Sequence, residues 1–123
     1  MKIALYFGML EKMPAIQIHI KPMSVNEAWQ GKRYKTPAYK AYEQEVMLLL
    51  PNTYEVPAEG GLEINFEFGL NTLADWDNPI KPLQDILQKK YGFNDSRVLK
   101  GTVIKNVVKK GEGYFIFSIR GIK

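Results

Sequence analysis

All four aspartates of this chain, Asp75, Asp77, Asp85 and Asp95, fall within one short stretch, while its nine glutamates are scattered elsewhere. Three of the four lie in Asp75-Trp76-Asp77-Asn78-Pro79-Ile80-Lys81-Pro82-Leu83-Gln84-Asp85. If residues 75–77 are extended, the i, i+2 spacing puts both carboxylates on one side. Two carboxylates held close repel unless a cation sits between them. A hard divalent ion such as Mg²⁺ suits an oxygen-rich site. The same residues also read as helix caps, with Asp77 and Asn78 competing for the N-cap and Asp75 in a loop. Taken alone, the pair favours the caps.

Lys81 shifts that balance. Asn78-Pro79 is a cap-then-Pro helix start, so Lys81 falls in the first turn, at the positive end of the helix dipole. A cation there costs ~0.3–1 kcal/mol unless an anion is bound nearby, and a helix N-terminus is itself an anion site. Lys81, the helix end and a carboxylate-held metal together describe a phosphate site. The alternative is a Lys81–Asp85 ion pair at i, i+4. In that Lys-first orientation the pair is worth only ~0.2–0.5 kcal/mol. Asp85 shares the helix's polar face with Lys81, Gln84 and Gln88, where it can reach either solvent or the metal. Asp95 sits beyond the helix in Gly92-Phe93-Asn94-Asp95-Ser96-Arg97. To join Asp75 and Asp77, the chain must return past the helix to the same end of the sheet.

With no cysteine and a single histidine, the chain has no disulfide, thiol nucleophile, Cys-based zinc site or multi-His metal site of its own. Hard-metal chemistry on carboxylates stays open. The net charge of +4 is unevenly placed. Residues 1–80 carry 7 basic and 10 acidic side chains, and residues 81–123 carry 10 and 3. The C-terminal third, with Arg97, Lys100 and Lys105, can therefore meet a polyanion. Taken alone, the excess favours a solvated, lysine-rich strand face that guards a sheet edge. A second basic cluster, Lys32, Arg33, Lys35 and Lys40, is interleaved with Trp29, Tyr34, Tyr39 and Tyr42. Tyr39 and Tyr42 read as packed under a helix, while the Gly-containing segment with Lys32, Arg33 and Lys35 suits phosphates and exposed bases.

The elements that must position these residues follow from periodicity. Ile16, Ile18 and Ile20 alternate with polar residues and predict a strand. Residues 23–35 lack a period and predict a loop. Thr36-Pro37 starts a helix with Tyr39, Tyr42, Val46, Leu49 and Leu50 on one face, stopped at Pro51. Leu62, Ile64, Phe66, Phe68 and Leu70 alternate as the clearest strand. Ile80, Leu83, Ile86, Leu87 and Tyr91 form the stripe of a second helix, closed at Gly92. Two strands over about 98–108 and 114–120 are joined at Lys109-Lys110-Gly111-Glu112-Gly113, a hairpin signal. The order β-α-β-α-β-β predicts an α+β fold with helices on a mixed sheet. At 123 residues this is one domain over 14–123, with residues 1–13 an N-terminal extension or extra strand. The apolar run near the start is too short to span a bilayer and lacks a cleavage site. A cytoplasmic protein with no membrane partner is expected.

The pattern Asp75-x-Asp77-Asn78-x-x-Lys81-x-x-x-Asp85, followed by Gly92-Phe93-Asn94-Asp95-x-x-Val98, resembles the RusA family of Holliday junction resolvases. Weaker similarity extends from about residue 15 to 120 and includes Ser24-x-Asn26. The resemblance implies a homodimeric endodeoxyribonuclease that resolves four-way DNA junctions by paired nicks, in recombination and repair. It implies Mg²⁺, or Mn²⁺ in its place, on Asp75, Asp77 and Asp95, with Lys81 as the catalytic lysine. Asp85 is then a candidate to touch the metal or orient its ligands. Lys32, Arg33, Lys35, Arg97, Lys100 and Lys105 are candidates to follow the DNA backbone. A non-catalytic DNA-binding protein of the same fold and a broader nuclease on flaps or branched DNA are the alternatives.

Overall fold

The computed structural model describes residues 15–30, 34–71 and 73–122. In chain order the elements are β1 (Ile16–Ile18), α1 (Val25–Ala28), β2 (Trp29–Gln30), β3 (Tyr34–Lys35), α2 (Pro37–Leu49), β4 (Leu62–Leu70), α3 (Ile80–Tyr91), a 3₁₀ turn (Asp95–Arg97), β5 (Val98–Val107) and β6 (Tyr114–Gly121). The fold is α+β. Its main sheet has the order β1-β6-β4-β5, and β2 and β3 form a separate two-stranded ribbon. The expected N-terminal extension, Lys32 and Arg33 lie outside the described residues.

β4 is the organising strand. Leu62, Ile64, Phe66, Phe68 and Leu70 alternate onto the face that carries the main core, beside Phe115, Phe117 and Ile119 of β6. α2 contributes Tyr39, Tyr42 and Val46, and α3 contributes Leu83, Ile86 and Leu87. Thr36 caps α2 as expected, its hydroxyl accepting from the Tyr39 amide at 3.1 Å. α3 begins one residue later than expected, after Pro79, with no side-chain cap. A missing cap costs ~1 kcal/mol. Full burial of Leu83, Ile86 and Leu87 is worth roughly 5–9 kcal/mol, so packing holds the helix in place.

β5 runs parallel to β4, and β6 runs antiparallel to β4 on its other side. The hairpin expected between the last two strands is therefore corrected: β4 lies between them. The 108–113 connection crosses the C-terminal end of β4, where the Val108 amide donates to the Leu70 carbonyl at 2.8 Å. The turn chemistry is that of a reversal, and the chain does reverse. The strongly apolar β4, however, takes the middle position, where both its edges are hydrogen-bonded. The expected loop over 23–35 is also corrected. It holds α1, closed by a capping box of Ser24 and Glu27, and the short ribbon. A four-residue helix and two-residue strands carry no readable period.

The sheet's second face combines a small apolar cluster of Ala15, Tyr114 and Ile116 with polar pairs. Arg120 donates to Glu63 Oε1 from Nε at 2.8 Å and Nη2 at 2.7 Å, and Tyr114 donates to Glu67. Burial alone would raise the Glu63 carboxyl. Hydrogen bonds from Arg120 and Asn65, with the charges of Arg120 and Lys100, outweigh it and hold Glu63 below the usual carboxylate range.

Candidate metal and nucleic-acid site

Parallel pairing of β4 and β5 through α3 forms a βαβ unit, and it decides where each aspartate stands. The N-terminus of α3 lies at the C-terminal edge of the parallel pair, where open α/β sheets characteristically bind ligands. Asp75 and Asp77 lie there, between β4 and α3. Leu62 pairs with Val98, so Asp95, just before β5, lies at the opposite edge. Leu62 to Leu70 spans roughly 26 Å at ~3.3 Å per residue. The expectation that Asp95 joins Asp75 and Asp77 is corrected within one chain: α3 runs the length of the sheet and does not return. Among the described residues, no group of three or more His, Cys, Asp or Glu side chains is placed to hold a metal ion.

The aspartate segment is turned rather than extended, which corrects the i, i+2 argument. The Asn71 side-chain oxygen accepts from the Leu73 amide at 3.0 Å, and its carbonyl accepts from Ala74 at 3.3 Å. The Asp75 carbonyl then accepts from the Asn78 amide at 3.3 Å, and the Asp77 carbonyl from Ile80 at 3.2 Å. Two outside groups brace these turns. The Lys105 ammonium donates to the Ala74 carbonyl, and the Val25 amide donates to the Asn78 carbonyl at 2.9 Å. Both carboxylates are exposed, with Asn78 Nδ2 3.5 Å from Asp75 Oδ2. Exposed charges repel each other only weakly in water.

A cluster of three protein acids is not a requirement for Mg²⁺. That ion usually keeps several waters and is bound by one or two carboxylates plus substrate phosphates, not by an all-protein cage. Lys81 lies one turn beyond them, with Nζ 3.2 Å from both oxygens of Asp85. The ion-pair alternative is thus the arrangement seen, although the Lys81 side chain is 60% exposed.

The other candidates divide. Arg97 is committed to structure, donating to the Gly60 carbonyl at 2.9 Å and the Pro57 carbonyl at 2.7 Å. Lys105 donates to the Ala74 carbonyl, so both of these candidates are also engaged within the chain. Lys35 pairs with Glu43 at 3.4 Å, with its ammonium 5.1 Å from the Tyr39 ring centre. Lys100 is exposed on β5.

A cleft of about 600 Å³ opens beside Asp75. The sequence reading missed its basic wall of Lys21, Lys109 and Lys110. Lys21 follows β1, whereas Lys109 and Lys110 lie in the connection that crosses β4. Gly113 allows the two segments to meet, since a Cβ there would sit 2.9 Å from Lys21 Cα. The charge excess of the C-terminal third was the available signal, and the reading of residues 109–113 as a simple hairpin concealed it. The chain matches no protein-family model and no curated protein. Among the described residues, no helix is long and apolar enough to cross a membrane.

Proposed function

We propose that the chain is a Mg²⁺-dependent endodeoxyribonuclease acting on branched DNA, four-way junctions above all, as the RusA-like pattern implies. The observation that carries this reading is Asp75 in the wall of a basic cleft, with Asp77 and Lys81 close by along the chain, at the C-terminal edge of a parallel strand pair. Asp75 and Asp77 would hold the ion, which when bound supplies Lewis-acid stabilisation of the phosphate. Lys81 would leave Asp85, an exposed pair of small worth, to neutralise charge developing on the phosphate oxygens. Asp95 takes no part within its own chain. Two opposed nicks need two sites, and a two-fold homodimer supplies them. The outer strand β5 has one edge unpaired among the described residues, where a second copy would dock.

The test is nicking of a synthetic four-way junction beside flap and linear duplex substrates, with Mg²⁺, Mn²⁺ or EDTA. Junction nicking with either metal, its loss in EDTA, and its loss in Asp75→Asn and Asp77→Asn with binding retained are expected. Near-wild-type cleavage by either variant overturns the metal assignment. Sedimentation showing only monomer with full junction activity overturns the dimer. The second reading, a non-catalytic DNA-binding protein, is favoured by the closed Lys81–Asp85 pair and the distant Asp95. Metal-independent junction binding without nicking is its signature.

A further inference from the structure

The ammonium groups of Lys21, Lys109 and Lys110 stand apart from the other cations of the site. Lys81 is paired with Asp85, Lys35 and Lys89 with Glu43, and Lys105 is bound to Ala74. The three cleft lysines are exposed and make no side-chain hydrogen bond or ion pair among the described residues. They border a cavity whose walls include the apolar side chains of Pro22, Leu70 and Val108. Of the acids in the wall, Glu27 accepts from the Ser24 amide at 3.4 Å, and Asp75 belongs to the proposed metal site. Three free cations over an apolar recess match a group that is anionic along one side and flat and weakly polar on the other.

We infer that this cleft receives one unpaired nucleotide of the DNA, its base in the recess and its flanking phosphates on Lys21, Lys109 and Lys110. The inference rests on the nuclease reading of the neighbouring aspartates and deepens it. At about 600 Å³ the recess lies within the range of small-ligand sites. Drawing a base from an intact duplex costs unstacking and unpairing energy, and that cost is least where the base is already unpaired. The cleft therefore selects DNA whose stacking is broken, as at a strand exchange or flap, and sets the scissile strand against Asp75.

The test uses the intact chain in EDTA and reads fluorescence anisotropy. The probes are a labelled short oligothymidylate, a strand of equal length made of abasic sites, and a duplex of that length. The thymidylate strand is expected to bind roughly 5- to 100-fold tighter than the abasic strand, from a base–protein contact the abasic strand lacks. The triple variant Lys21→Gln/Lys109→Gln/Lys110→Gln is expected to flatten the salt dependence of thymidylate binding by about 2 in log–log slope. Lys89→Gln, at the far end of α3, is expected to leave that slope unchanged. Equal affinity for thymidylate and abasic strands overturns the placement of the base. An unchanged slope in the triple variant overturns the phosphate contacts. Because no metal is present, these outcomes are independent of nicking. Junction cleavage without base-dependent binding removes the cleft assignment alone, and base-dependent binding without metal-dependent cleavage removes the nuclease alone.

Discussion

Replacing Lys81 by alanine separates chemistry from structure. Its ammonium lies 3.2 Å from both Asp85 oxygens, with the two side chains 60% and 27% exposed. An exposed i, i+4 pair in the Lys-first order stabilises by at most ~0.5 kcal/mol, and a cation in the first turn of α3 opposes the dipole by a similar amount. The two nearly cancel, so the melting temperature of Lys81→Ala should stay within about 2 °C of wild type. If Lys81 stabilises developing charge on the phosphate, the cleavage step falls by about 10²–10³, as for loss of one preorganised contact. Lys89→Ala is the control, because Lys89 makes a comparable exposed pair with Glu43 at 3.4 Å, near the other end of the helix. Lys90 is unsuitable, since it donates to the Met47 carbonyl and to Asn52. The assay is single-turnover junction cleavage at saturating enzyme and fixed Mg²⁺ and salt. Equal rates for Lys81→Ala and Lys89→Ala refute the catalytic role and leave Lys81 a surface residue.

Two further predictions concern the sheet. The Glu63 carboxyl is held below its ordinary value of 4.5, so its contribution to stability is present above that value and lost as pH falls through the lower, folded one. Glu63→Gln should cost about 1 kcal/mol near neutrality, the gap between a charge-assisted and a neutral hydrogen bond. Urea titrations at stepped pH should show that gap closing only below about pH 4.5, and a pH-independent gap contradicts the assignment. Gly69 lies beneath the Tyr114 ring, where a Cβ would come within 2.3 Å of a ring carbon. Gly69→Ala should therefore destabilise by ~1–3 kcal/mol through overpacking, while a wild-type denaturation midpoint would show that the ring moves aside freely.

Much of the fold was legible in the sequence because its long elements bury one continuous stripe. β4 spans Leu62–Leu70 as its alternation predicts, and α3 ends at Gly92 as its closing glycine predicts. The start of α3 was less legible. Asn78 is a good capping residue, but here its side chain approaches Asp75 and its carbonyl takes the Val25 amide. That second contact joins segments more than fifty residues apart, which no local pattern encodes. The Ser24-x-Asn26 segment was marked only by resemblance. In the structure it starts α1 and braces the aspartate turns from the other side.

The candidate site was half legible for a topological reason. Asp75, Asp77, Lys81 and Asp85 sit on one turn and the helix that follows it, so local spacing alone puts them at the same end of the sheet or on α3, and pairs Lys81 with Asp85. Asp95 is only ten residues beyond Asp85, yet the crossover from β4 through α3 to β5 carries it to the opposite edge of the sheet. Lys109 and Lys110 are farther along the chain, but β5 travels back up the sheet and returns them to the aspartates' edge. β6 then enters on the other side of β4, which obliges the 108–113 connection to cross the strand end rather than turn tightly beside it. That crossing closes one wall of the cleft, and β1, paired to β6, brings Lys21 to meet it. A tight β5–β6 hairpin would have left the end of β4 open and the three lysines apart. The central placement of β4 is thus what converts a diffuse excess of C-terminal charge into a basic wall facing Asp75.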